Sequence, residues 1–132
     1  MNEQRNIDTV KNMYEAFGRG DVTYIVDQLS DNVSWNSHFA PQVPWGGDMS
    51  GKSNVPKFFH AIYENVDVLG FEAHEYIADG ETVVCTGTFE ATAKSTGKSA
   101  LTPWVFIWKF NDGKVESYQQ FASADFGDIF VA

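Results

Sequence analysis

The chain has 132 residues, a formal charge of −9 and no cluster of lysine or arginine, which argues against a nucleic-acid backbone or an anionic membrane surface as partner. Its length predicts one domain, residues 1–132, that buries about two-thirds of its unfolded surface without disulfide or metal staples. The single cysteine, Cys85, has no internal partner, and no apolar run approaches the roughly eighteen residues of a membrane span, so a cytoplasmic protein is expected.

Ile7, Val10, Met13, Tyr14 and Phe17 recur at helical spacing, with Asn6 as the expected cap and Gly18 and Gly20 as the stop. Asp21 caps a short second helix carrying Val22, Ile25, Val26 and Leu29. Ser30-Asp31-Asn32 reads as a turn, and Val33-Ser34-Trp35 opens a strand. A third helix is expected from Ser53 or Asn54, with Pro56 in its first turn and an apolar stripe of Val55, Phe58, Phe59, Ile62 and Val66. From Phe71 the rhythm alternates. Four strands are predicted, over Phe71–Ala78, Glu81–Ala93, Ser99–Phe110 and Lys114–Phe121, separated by glycine-containing turns. Helices followed by a strand meander define an α+β fold with the helices over one face of a curved antiparallel sheet. The run Leu101-Thr102-Pro103-Trp104-Val105-Phe106-Ile107-Trp108 is apolar on both faces. One face should line the interior, and the other, with Val105 and Ile107, should meet a second subunit.

Aromatic residues make up 15% of the chain, including eleven Phe and four Trp. That surplus fits an apolar cavity, and it equally fits a rigid aromatic core or a dimer interface.

The segments YEAFGRGD, SDNVSW, PWGGDMSGKSNVPKFF, AHEYIADGETVV, STGKS and FNDGKVESYQQF occur in coherent order. Together they resemble the NTF2-like superfamily, and within it the SnoaL-like proteins related to ketosteroid isomerase. The resemblance runs nearly end to end. It implies a cone of three N-terminal helices packed on a curved antiparallel sheet (the cystatin-like arrangement), a pocket at the wide end, and homodimerisation through the sheet. It implies no cofactor. Function does not follow from it, since this fold hosts isomerases, cyclases, dehydratases, hydrolases and non-catalytic binders.

Ketosteroid isomerase-like enzymes remove a proton α to a carbonyl with a carboxylate on the first strand, and hold the enolate oxygen with two donors. Counting from Gly20-Asp21, the base position falls on Ser37, the tyrosine donor position on Met13 with Tyr14 one residue away, and the acid donor position on Phe106. That triad is absent. SnoaL-like relatives often end their last strand with R-E-Y-x-D, whereas this chain reads Gln119-Gln120-Phe121-Ala122-Ser123. Glutamine orients a ligand but exchanges no proton at neutral pH. The remaining proton carriers are Asp125, if the strand end bends inward, and His38. Alternation opposes His38: with Trp35 and Ser37 facing inward, it faces outward unless a bulge turns it.

His60 reads as a surface histidine and His74 as a strand histidine. Neither forms a metal-ligand spacing, so no metal is expected. Cys85, mid-strand, reads as a small hydrophobe. A pocket lined by Tyr14, Trp35, Phe58, Trp104, Phe106, Trp108 and Tyr118, with Ser37 and Gln120 as polar tips, suits a small apolar ring-shaped or polyketide-like molecule. Three functions are consistent with this pattern. One is a cofactor-free isomerase, cyclase or dehydratase using His38 or Asp125. The second is a non-catalytic binder that has lost the family's acid–base groups. The third is a structural homodimer with a plugged pocket, which a cavity below about 300 Å³ would favour.

Overall fold

The computed structural model describes residues 2–132. Its elements run α1 (Asn2–Arg19), α2 (Val22–Asp27), β1 (Leu29–His38), β2 (Gly47–Ser50), α3 (Val55–Asn65), β3 (Val66–Asp79), β4 (Thr82–Ala93), β5 (Ser99–Asn111) and β6 (Lys114–Ala122). Short 3-10 turns precede α3 (Lys52–Asn54) and follow β6 (Ala124–Phe130).

Helix α1 presents Val10, Met13 and Ala16 as its buried stripe. It ends at Gly20 in the left-handed region (φ 73°). There the Asp21 amide donates to the Ala16 carbonyl and the Gly20 amide to the Phe17 carbonyl, a Schellman arrangement. The Asp21 side chain then accepts from the Tyr24 amide at 3.1 Å, capping α2 as its position predicts. Asn6 is not a cap. The helix begins four residues earlier, and Asn6 lies fully buried with its amide 3.4 Å from Glu81 Oε1, because its bearing on α1 faces the sheet end. Helix α3 carries Pro at its start as expected and buries Val55, Phe58, Phe59 and Ile62.

The sheet has six strands in the order β2-β1-β6-β5-β4-β3. All pairs are antiparallel except β1 with β6, which is parallel. The parallel β1–β6 pair departs from the antiparallel sheet expected, and two element boundaries also differ from the sequence reading. Ser30-Asp31-Asn32 belongs to β1 rather than to a turn, and the register slips between Leu29 and Ser34 to absorb it. β3 starts at Val66, since the chain leaves α3 directly into the ladder with β4. Further register shifts, at Val68/Gly70 and Ala73/Glu75 on β3 and at Lys109/Phe110 on β5, bend the sheet around the helices. The two-residue turn at Asp112-Gly113, both with positive φ, closes the β5–β6 hairpin with the twist such hairpins prefer.

The ladder places inner-face residues in rows across the sheet. Trp35, Tyr118, Trp108 and Val83 share one row; Ser37, Gln120, Phe106 and Cys85 the next; Ala122, Trp104 and Gly87 the third. Gly87 decides how the third row packs. A Cβ there would overlap both the Glu72 carbonyl oxygen and the Trp104 indole. The missing side chain leaves room for the indole against β4. We expect Gly87→Ala to lower the unfolding free energy by about 3 kcal/mol, as overpacking against backbone does. Urea denaturation checks this, and a loss below about 1 kcal/mol, the range of volume-conserving core swaps, would contradict the packing described.

Candidate functional site

Beneath α1 and α3, the inner face lines a cavity of about 60 Å³. Its floor comes from β5 and β6: Thr102, Trp104, Phe106 and Trp108 on the one, Tyr118, Gln120 and Ala122 on the other. Trp104 and Phe106 stack at a centroid distance of 3.9 Å and 13° between planes, and Phe71 of β3 extends the stack at 5.1 Å from Trp104. Trp35 of β1 lies 4.1 Å from Tyr118, which lies 4.4 Å from Trp108. The roof is Met13, Tyr14 and Phe17 of α1 with Phe58, Phe59 and Ile62 of α3.

At one end of the cavity the rings of Phe39, Trp45, Phe89, Phe126 and Phe130 meet at centroid distances near 6 Å. Phe39 and Trp45 come from the loop between β1 and β2, and Phe126 and Phe130 from the C-terminal 3-10 turn. That turn is held down by Thr96 Oγ1 donating to the Ile129 carbonyl and by Lys98 Nζ donating to the Val131 carbonyl at 2.6 Å. Gly127 allows the close approach, since a Cβ there would lie 3.1 Å from the Ala40 side chain.

Of the residues expected to line the site, Tyr14, Trp35, Phe58, Trp104, Phe106, Trp108, Tyr118 and Gln120 are brought together in the cavity wall. Ser37 is buried in the row of Gln120 but does not line the cavity. The two expected proton carriers are elsewhere. β1 and β6 keep regular register from Ser34 to His38, so no bulge turns His38 inward. It lies exposed on the outer face, stacked on Phe121 at 4.5 Å, with Nε2 3.3 Å from Gln119 Oε1. Asp125 is also exposed, its carboxylate accepting from the Ser123 hydroxyl, because the chain turns into the 3-10 segment instead of bending toward the cavity. His60 pairs with Glu64 at 2.9 Å and His74 with Glu72 at 3.5 Å, all on the surface. Sequence reasoning missed Phe39, Trp45, Phe71 and Phe89 as wall residues. The hydrophobicity of Phe39 and Trp45 was visible, but no periodicity marks loop residues as cavity-facing.

No residue of the cavity wall carries a charge. Its titratable groups are Tyr14 and Tyr118, and burial is the main cause that pushes both hydroxyls well above the usual tyrosine range. Trp108 Nε1 donates to the Tyr14 hydroxyl at 2.9 Å. Behind Phe106, the Cys85 thiol is pushed up to about 11 by burial, with the Tyr14 hydroxyl drawing it partly back. It is a neutral thiol, not a nucleophile. Three buried polar atoms of the wall find no protein partner: Trp35 Nε1, Trp104 Nε1 and Gln120 Oε1.

A one-layer curved sheet, an α-helical roof and an uncharged aromatic cavity between them define a cone-shaped NTF2-like α+β protein. The SnoaL-like domain family matches residues 10–118, and the chain belongs to that family. An NTF2-like protein of unknown function from Burkholderia pseudomallei is 26% identical and superposes with a TM-score of 0.85, over 96% of this chain and 98% of its own. TerC, co-crystallised with polyporic acid, is 22% identical with a TM-score of 0.83, over 96% and 98%. A provisionally assigned isomerase from Bacillus subtilis is 17% identical with a TM-score of 0.78, over 93% and 90%. The latter two likenesses concern the fold alone. Among curated proteins there is no match.

Stability should report the neutral state of the three buried groups. In the unfolded chain Cys85 titrates near 9.0 and the tyrosines near 10.0, whereas the fold keeps all three protonated to higher pH. The unfolded state therefore binds fewer protons above those values. Stability is complete below about pH 9 and falls above it, by about 1.4 kcal/mol per pH unit for each group titrating. Urea midpoints measured from neutral to alkaline pH should show this decline, and Tyr118→Phe should make it shallower by that one group's share. A level profile through about pH 11 would contradict the burial assigned to these groups.

Proposed function

We propose that this chain binds a small, flat, uncharged ring molecule in the aromatic cavity and does not transfer protons there. Family membership sets it among isomerase- and cyclase-type relatives. The geometry favours the binding branch: the cavity wall holds no carboxylate and no histidine, and His38 and Asp125 open onto solvent. The observation that carries the reading is the wall itself, built from stacked aromatic rings with a few neutral polar groups and no charge. Trp35 Nε1, Trp104 Nε1 and Gln120 Oε1 in it lack a protein partner, as Asn6 Oδ1 and Ser37 Oγ do away from it.

The volume favours a second reading. At about 60 Å³ the space is less than half the roughly 150 Å³ that admits benzene, and far below ordinary ligand sites. A plugged, purely structural cone would look like this. On the binding reading, a guest enters by displacing the rings of Phe39 and Trp45, which belong to the β1–β2 loop and pack against Phe89, Phe126 and Phe130. Acetophenone, a neutral single-ring ketone, separates the two readings. At saturation it should raise the melting temperature by several degrees, the effect of about 2–3 kcal/mol of ligand linkage, and shift tryptophan emission. No shift with any neutral single-ring compound up to its solubility would leave the plugged cone as the better account.

We also propose a homodimer formed through the outer face of the sheet. Thr86, Val105, Phe121 and His38 form one outward row, with Val84 and Ile107 in the next. Val105 and Phe121 keep 37% and 39% of their surface exposed, which a partner would cover. The single buried thiol, Cys85, fits a reducing compartment such as the cytoplasm. Light scattering at micromolar concentration should give a dimer, and Phe121→Glu should give a monomer that still binds acetophenone. A monomer for the unaltered chain would refute the assembly.

A further inference from the structure

The apolar row on the outer face of the sheet ends in a titratable group. Phe121 of β6, Val105 of β5 and Thr86 of β4 form an uncharged strip, and His38 of β1 closes it at one end. The formal charge of −9 makes two copies repel over most of their surface, so this strip is where a second copy can approach. The imidazole stacks on Phe121 at 4.5 Å with 10° between planes, and Nε2 lies 3.3 Å from Gln119 Oε1. Charged groups stand off from it. Along its own row the first is Glu75 of β3, four strands away, or about 19 Å at the usual strand spacing. That carboxylate already accepts from the Thr86 hydroxyl at 2.9 Å. One row along, Asp48 of β2 lies opposite Asn36; two rows along, Lys109 of β5 lies opposite Ser117. Asp125, beyond the end of β6, accepts from the Ser123 hydroxyl. Among the described residues His38 forms no ion pair.

We infer that His38 makes the dimer sensitive to pH: the two copies associate at neutral pH and separate as the imidazole gains its proton. This rests on the outer-face assembly proposed above. On an open face the imidazolium is well accommodated, with water, the Phe121 ring and the Gln119 side-chain carbonyl as partners. Covered by a second copy, the same cation loses its water between Phe121 and Val105, with no carboxylate beside it to offset the loss. Separated protomers therefore bind more protons than the dimer, and lowering the pH through the range in which histidine changes charge favours separation. Each copy brings one imidazole, so the effect acts twice in a symmetric pair. Weakening of the general repulsion as the chain loses negative charge would act in the opposite direction.

Sedimentation velocity of the full chain at pH 7.5 and pH 5.5, at one ionic strength, tests this. The dimer Kd should rise at least about tenfold at the lower pH, with circular dichroism showing that the protomer stays folded. His38→Gln, neutral at both values, should give the same Kd at each. His74→Gln, which removes the exposed histidine paired with Glu72 on β3, should keep the full dependence. A Kd for the unaltered chain that is equal or smaller at pH 5.5 would overturn the inference, whether or not the His38 variant assembles. So would a dependence that survives in His38→Gln or disappears in His74→Gln. A monomer at pH 7.5 would instead overturn the assembly itself, and this inference with it.

Discussion

The close contact of the Trp104 indole with Gly87 organises the interior of this protein. It seats one large ring against the backbone of β4, and Phe106 and Phe71 stack on that ring in turn. Tyr14 of α1 then meets the edges of Phe71 and Trp104 at 5.1 and 5.9 Å, so the roof rests on rings rather than on the sheet backbone. Stacked planes cannot interdigitate with a helix as aliphatic side chains do. A sheet floored with indoles and phenyl rings therefore holds α1 and α3 away from its middle, and the gap that remains is the cavity. The same packing leaves the indole N–H groups of Trp35 and Trp104 without a protein partner.

Strand parity decides which chemistry that gap contains. Along β1 and β6, Trp35, Ser37, Tyr118 and Gln120 point inward, which sends His38, Gln119 and Phe121 to the outer face. A single bulge between Ser34 and His38 would have exchanged the two sets. The register there is unbroken, so the histidine becomes part of an exposed apolar row and the cavity keeps only neutral hydrogen-bonding groups. Membership of the SnoaL-like family is thus compatible with an interior that lacks any proton carrier working near neutral pH. Fold and chemistry are separate properties of the chain.

Much of this was legible in the sequence, for physical reasons that also mark where legibility ends. Helix stops at Gly20, the Asp21 cap and the Asp112-Gly113 turn are local events, written in residues whose backbone preferences act over a few positions. Alternation along β5 revealed Trp104, Phe106 and Trp108 as one face because a strand has a period of two. The parallel pairing of β1 with β6 joins segments about eighty residues apart and leaves no local trace. Asn6 looked like a cap because its residue type favours caps, but the stripe of α1 turned it toward the sheet, where burial outweighed propensity. Cavity volume was the least legible quantity, since it is a small difference between large packed volumes and depends on where Phe39, Trp45 and the C-terminal turn come to rest.

The central claim is that the cavity accepts a ring carbonyl compound and leaves its protons alone. Deuterium exchange at the methyl group of acetophenone tests it directly, because that methyl is α to the carbonyl and exchanges only through the enol. With the ligand shown by calorimetry to occupy the site in deuterated buffer, proton NMR should find its methyl exchange no faster than in buffer alone. Occupancy accompanied by accelerated exchange that Tyr14→Phe or Gln120→Leu abolishes would contradict the account and place enolisation in the cavity.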